Sequence, residues 1–224
     1  MATSGTKTFS LNIADTIEEA FELAGLELRT GYDAETARRS LNIMFADWSN
    51  RGVNLWTIDQ VSLTLTAGTN QYTLNAYDVD IVSAVVRQTI SGTTTDLQLN
   101  RVGRTEFLNI PDKTSTGRPT QYFLDRATTP VLNIWPTPDT VATYTLITNR
   151  VTRMDDVTAS NQDPDVPSRF MPCMVSGLAY YLAMKKNPDK APMLKQQYEQ
   201  DFKFAADEDG TKVSLHLVPR RSYY

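Results

Sequence analysis

The sequence predicts an α+β protein: a four-helix bundle with a small antiparallel β-sandwich or barrel inserted between its halves, then an extended C-terminal tail. Three observations point there. Apolar residues recur at helical spacing near both ends of the chain, and the period falls to two in a Thr-rich middle. Beyond Thr211 the chain alternates apolar and polar residues and closes on arginines and tyrosines. Residues 12–57 and 166–210 are accordingly read as the bundle, 58–152 as the inserted β domain and 211–224 as the tail.

The first helix is expected over about 12–24. Ile13, Ile17, Ala20, Phe21 and Ala24 trace one helical face, and Asp15, Glu18 and Glu19 sit where negative charge suits the helix dipole. Gly25 supplies a stop. The second helix spans about 33–50, capped by Asp33, with Ala37, Leu41, Met44, Phe45 and Trp48 repeating the same spacing. A short turn containing Gly31 makes the pair a helical hairpin.

Alternation then takes over. Val61, Leu63 and Leu65 alternate with Ser62, Thr64 and Thr66, a strand with one buried face. Partner strands follow around Tyr72 and Leu74, over 81–90 with a turn at 91–93, and around Leu97 and Leu99. A short helix over 104–110 ends at Pro111. The Pro/Gly/Ser/Thr-rich stretch 111–119 is the most flexible-looking internal loop. Strands at 121–125, 131–135 and 141–151 bring the expected number to seven. Helix returns near Ser168, with Met171, Met174, Val175, Leu178 and Leu182 on one face; Pro172 is tolerable there only in the first turn. Asn187-Pro188 breaks that helix. The last runs from about 189 to 209 through Leu194, Tyr198, Phe202 and Ala205. Its acidic end, Asp207-Glu208-Asp209, opposes the dipole and calls for fraying or a compensating partner. Each helical pair has one apolar face, and the two faces are expected to close on each other.

Bulk properties narrow the function. A chain of 224 residues, 41% hydrophobic and 21% charged, can bury a proper core without metal or disulfide staples. Its formal net charge of −4 argues against a dedicated nucleic-acid binder. Residues 1–57 hold five basic side chains against eight acids, whereas the final stretch carries only Lys212, Arg220 and Arg221. Cys173 is the only cysteine, so no intrachain disulfide is possible. The polar N-terminus does not read as a signal peptide, and no apolar run is long enough for a membrane span. A protein made in a cytoplasm, or carried inside something assembled there, is expected.

Chemical candidates are few. His216 is the only histidine, and with Cys173 it gives no metal-ligand spacing; the pairing of the two as a catalytic couple is a coincidence of inventory. Glu18/Glu19 and Asp155/Asp156 are adjacent acids that diverge on a helix and read as solvated surface. No phosphate loop, nucleophile elbow or zinc-protease motif occurs. No catalytic, cofactor-binding or metal site is therefore expected, and the protein is not read as an enzyme. Trp48, Trp56 and Trp135 keep open a stacking or carbohydrate-binding platform, although Trp48 falls on an apolar helical face. The tail makes the best case for a specific contact. Val213, Leu215 and Leu217 alternate with Lys212, Ser214 and His216, and Arg220, Arg221, Tyr223 and Tyr224 combine cations with rings of the kind enriched at interfaces.

Several stretches together resemble a known family. These are Asp15-Thr16-Ile17-Glu18-Glu19-Ala20-Phe21, then Ala37-Arg38-Arg39-Ser40-Leu41-Asn42 through Trp48, and Gly52-Val53-Asn54-Leu55-Trp56. The strands over 64–72, Gly117-Arg118-Pro119-Thr120-Gln121-Tyr122 and Ile134-Trp135-Pro136-Thr137-Pro138 continue the pattern. In that order they are similar to the head-to-tail adaptor (head-completion, tail tubular A-like) proteins of short-tailed bacteriophages, over about residues 12–205. The resemblance implies a homo-oligomeric ring, typically of twelve copies, beneath the portal protein. It also implies a platform for a tail nozzle or hub protein and a channel for double-stranded genomic DNA, with assembly in the host cytoplasm and a place at the head-tail junction of the virion. The other reading is a different tail or baseplate structural protein, or a carbohydrate-binding attachment protein.

Overall fold

The computed structural model describes residues 5, 9–29, 31–52 and 55–209, so the tail and its seven candidate contact residues lie outside the described residues. Among the described residues there are five α-helices: α1 (Ile13–Ala24), α2 (Gly31–Asn50), α3 (Arg104–Leu108), α4 (Met171–Lys186) and α5 (Ala191–Asp209). Between α2 and α4 run eight strands: β1 (Ile58–Thr64), β2 (Gln71–Thr73), β3 (Asp78–Ile90), β4 (Thr93–Gln98), β5 (Asn100–Arg101), β6 (Gln121–Asp125), β7 (Val131–Trp135) and β8 (Thr143–Thr152). The chain divides into two compact units, one holding the described residues up to Met44 and from Asp156 on, the other Phe45–Asp155. The division falls inside α2.

Gly25 ends α1 and Pro172 falls in the first turn of α4 as the sequence indicates, whereas the cap expected at Asp33 does not form. Asn12 caps α1 by accepting the Asp15 N–H at 2.8 Å, and Gly25, at φ 68°, takes the left-handed conformation that closes it. The free N–H groups of Ile13 and Ala14 donate to the carbonyls of Gln162 and Ser160, both at 2.9 Å. Asn42 clamps the returning chain at two points: its amide oxygen accepts from Val157 N (2.8 Å) and its amide nitrogen donates to Val157 O (3.3 Å). Pro172 lies in the first turn of α4, where its missing N–H costs nothing. Asp33 does not cap α2, which begins at Gly31; its carboxylate accepts from Arg29 N and pairs with the Lys186 ammonium.

The four-helix bundle is not what forms. A bundle helix buries one stripe and leaves its back to water. Helix α4 instead is buried nearly all round, through Met171, Cys173, Met174, Val175, Ser176, Gly177, Leu178, Ala179, Leu182 and Ala183. It serves as the hub, with α1 against one side and α5 against another. Small residues make this possible. A Cβ on Gly177 would lie 2.5 Å from Met44 Sδ and 2.8 Å from the Tyr198 ring, so only glycine fits between α2 and α5 side chains there. At the polar end of the hub, Lys185 Nζ donates to Ser40 Oγ at 2.7 Å, and burial holds this ammonium below its usual pKa.

The β unit is two open four-stranded sheets, which excludes the closed barrel. Their orders are β1-β8-β3-β4 and β2-β7-β6-β5. All pairings are antiparallel except β5 with β6. Inward residues of both sheets, among them Ile81, Val86, Tyr122, Leu124, Leu132, Ile134, Tyr144 and Leu146, form one core. Burial raises the phenol pKa of Tyr122 and Tyr144. The β3–β4 hairpin turns at Ser91-Gly92, both at positive φ, as a two-residue turn of type I′ requires. One charge pair is fully inside: Arg150 Nη1 meets Asp78 Oδ2 at 2.9 Å, both side chains under 5% exposed, while Arg150 Nε donates to Thr148 Oγ1 at 2.8 Å. The loop 111–119 is hydrogen-bonded along its length. Thr116 bridges Thr137, Gly117 N donates to Thr137 O at 2.8 Å, and the Trp135 indole donates to Asp112 O at 2.8 Å.

Candidate interaction surface

The residues weighed as chemical candidates separate clearly. Cys173 is fully buried in α4. Glu18, Glu19, Asp155 and Asp156 are exposed. Trp48 is buried, its ring 5.5 Å from that of Phe45, while Trp56 and Trp135 are half-buried. The polar edge of Trp135 is already engaged by Asp112, which leaves that ring less to offer a sugar hydroxyl. Among the described residues no group of three or more His, Cys, Asp or Glu side chains is placed to hold a metal ion. His216 lies outside the described residues.

The helical unit carries a groove that the sequence reading missed. It has a volume of about 520 Å³ and lies where α1, α4 and α5 come together. Leu11 and Leu23 line it from the α1 side, and Pro172 and Val175 from α4. Two carboxylates, Glu19 of α1 and Asp201 of α5, also border it. Helix α1 contributes four acids, Asp15, Glu18, Glu19 and Glu22, and no lysine or arginine. Phe204, three residues beyond Asp201 on the same side of α5, is 61% exposed. The groove escaped the sequence because its walls come from three separate helices, and because the two helical faces were expected to close on each other completely. The acid-only composition of α1 was the one signal in the sequence that pointed to it.

The chain leaves α5 beside this groove. Asp209, 8% exposed, is paired with the Arg169 guanidinium, so the acidic end of α5 is compensated from within the chain. Arg169 belongs to the 3-10 turn Ser168–Phe170 that leads into α4, three residues before Pro172. The Phe170 and Phe202 rings, 6.4 Å apart, pack the same corner. The described chain thus stops within a turn of the α4 residues that line the groove.

The family comparison gives the class: the model of the SU10 adaptor protein family matches residues 13–219. The chain belongs to that family of bacteriophage head-to-tail adaptor proteins and is a structural component of the virion, in contact with other virion proteins. The match covers both units and continues ten residues past Asp209 into the tail. No curated protein matches the sequence. No helix among the described residues is long and apolar enough to cross a membrane.

Proposed function

We propose that this chain is the subunit of a homo-oligomeric ring, of twelve copies, that docks on the portal vertex at the head-tail junction. There it lengthens the DNA channel and offers a platform to the tail nozzle or hub protein. The observation that carries the reading is the family match across 13–219, which takes in the helical unit, the β unit and most of the tail. The role is structural, with no catalytic or cofactor step. Assembly takes place in the host cytoplasm.

The tail is the docking arm in this reading. Val213, Leu215 and Leu217 supply alternate apolar contacts, and Arg220, Arg221, Tyr223 and Tyr224 supply charge and rings. A net charge of −4 suits a ring through which double-stranded DNA passes without sequence-specific binding, since carboxylates repel phosphates that a basic lining would hold.

The test is to mix the protein with its portal and image the product by electron microscopy. A ring seated on the portal is the expected result; a chain that stays monomeric and unbound under all conditions overturns the proposal. Removal of residues 211–224 should leave the circular dichroism spectrum unchanged and weaken docking. Undiminished docking by the shortened chain would remove the arm from the mechanism.

A further inference from the structure

We propose that the groove between α1, α4 and α5 is the seat of the chain's own C-terminal segment, residues 212–217, which folds back along α5 in the free subunit. This goes beyond the adaptor reading and does not depend on it. Three features carry it.

The first is where the chain leaves the helix. The Asp209–Arg169 pair holds the end of α5 against the start of α4, and Pro172 and Val175 on the following turns of α4 line the groove. Gly210 comes next in the sequence, the residue type that most readily reverses a chain at a helix C-terminus.

The second is reach. Asp201 lies eight residues back from Asp209, about 12 Å along a helix that rises 1.5 Å per residue. An extended chain advances ~3.3 Å per residue, so a segment folded back from Asp209 is level with Asp201 after about four residues. That position is Val213. From there Val213, Leu215 and Leu217 present one apolar edge about 13 Å long, because side chains on one side of an extended segment recur every second residue.

The third is complementarity. The groove offers Leu11, Leu23, Pro172 and Val175 to the apolar edge. Glu19 and Asp201 border it, and α1 carries four acids with no compensating base. Residues 210–224 carry Lys212, Arg220 and Arg221 and no Asp or Glu. A segment of opposite charge tethered at the groove's edge has an effective concentration in the millimolar range for its own groove, well above that of a second copy at ordinary protein concentrations. The family match extends through residue 219, so this stretch belongs to the pattern the family shares.

Disulfide trapping in the full-length chain tests the proposal. Gln197→Cys places a thiol at the groove on exposed α5 surface, and Leu215→Cys places its partner in the tail. The native Cys173, fully buried, stays out of the exchange. The control pairs Leu215→Cys with Lys195→Cys, an exposed position on another side of α5. Under mild oxidation the Gln197→Cys pair should close within one chain at least about tenfold faster than the control, as a tethered and seated segment requires. Circular dichroism checks that both variants keep the helical content of the parent. Equal rates for the two pairs overturn the proposal. So do disulfides that form only between chains, which would give the groove to a second copy. The measurement uses the isolated protein, so a chain that traps its tail but never binds a portal would sink the adaptor reading and leave this one standing.

Discussion

The helical unit and the β unit bury their cores by opposite means. The helical unit surrounds α4 with neighbours and gains closeness from what is missing, a side chain at Gly177 and bulk at Cys173, Ser176, Ala179 and Ala183. The β unit fills the space between two open sheets with large side chains and keeps a charge pair, Arg150 with Asp78, inside. Tolerance to change should differ accordingly. A close-packed hub is vulnerable to added atoms, whereas a core with a buried ion pair is vulnerable to a lost partner.

The largest expected effect is in the β unit. Replacing Arg150 by Met leaves the Asp78 carboxylate buried with only the Asn75 N–H as a partner, and such a half-broken pair costs about 3–5 kcal/mol. Arg150→Met together with Asp78→Leu should recover most of the loss, since a pair removed whole leaves no uncompensated charge. Urea unfolding of the two variants decides it. A single variant with the parental midpoint would mean that the pair is not a constraint on this core, and the contrast between the units would fail.

The helical unit is tested next by overfilling. Gly177→Val forces two methyl groups toward Met44 Sδ and the Tyr198 ring and should cost about 2–3 kcal/mol. Adding Met44→Ala removes the nearer obstacle, so the double variant should lose less than the two single changes combined. Strict additivity would show that Met44 is not what makes Gly177 necessary. A smaller effect is expected at the edge of the same unit. Asn12→Ala removes the side-chain acceptor for the Asp15 N–H and should cost about 1 kcal/mol, read as a shift of the thermal midpoint. An effect as large as that of Gly177→Val would place the weight of the unit at its caps and not at its hub.

What the sequence made legible was local. Asn12 and Gly25 bound α1, Pro172 marks the first turn of α4, and Ser91-Gly92 turns a hairpin, because each acts through backbone chemistry within a few residues. The encirclement of α4 was not legible. Its second side is made of Cys173, Ser176, Gly177 and Ala179, which register weakly in an apolar stripe yet allow the nearest approach. Strand β5, two residues long, owes its existence to parallel pairing with Gln121 and Tyr122, and nothing in its own composition marks it. Arg150 and Asp78 are 72 residues apart, and neither reads as buried until the strands are paired. The same holds for the candidate site. The tail's alternation and charge are sequence features that lie outside the described residues, while the groove, assembled from three helices, became visible only when α1 and α5 were placed on α4.

The smallest effect concerns the loop at residues 111–119, where the β unit holds a largely exposed segment by hydrogen bonds. Asp112 accepts from Thr114 Oγ1 at 2.6 Å and from Thr114 N at 2.9 Å, and these donors hold its carboxyl below the ordinary value of 3.8. Because the folded pKa is the lower one, the contribution of Asp112 is fully present above 3.8 and disappears as the pH falls through the folded value. An NMR titration of the Asp112 carboxyl should therefore give a midpoint below 3.8, and Thr114→Ala should move it back up toward 3.8. The backbone carbonyl of Asp112 also receives the Trp135 indole N–H, so the indole proton resonance should shift over the same pH range. An unshifted carboxyl with a static indole signal would mean that the Thr114 bonds do not hold this loop in solution.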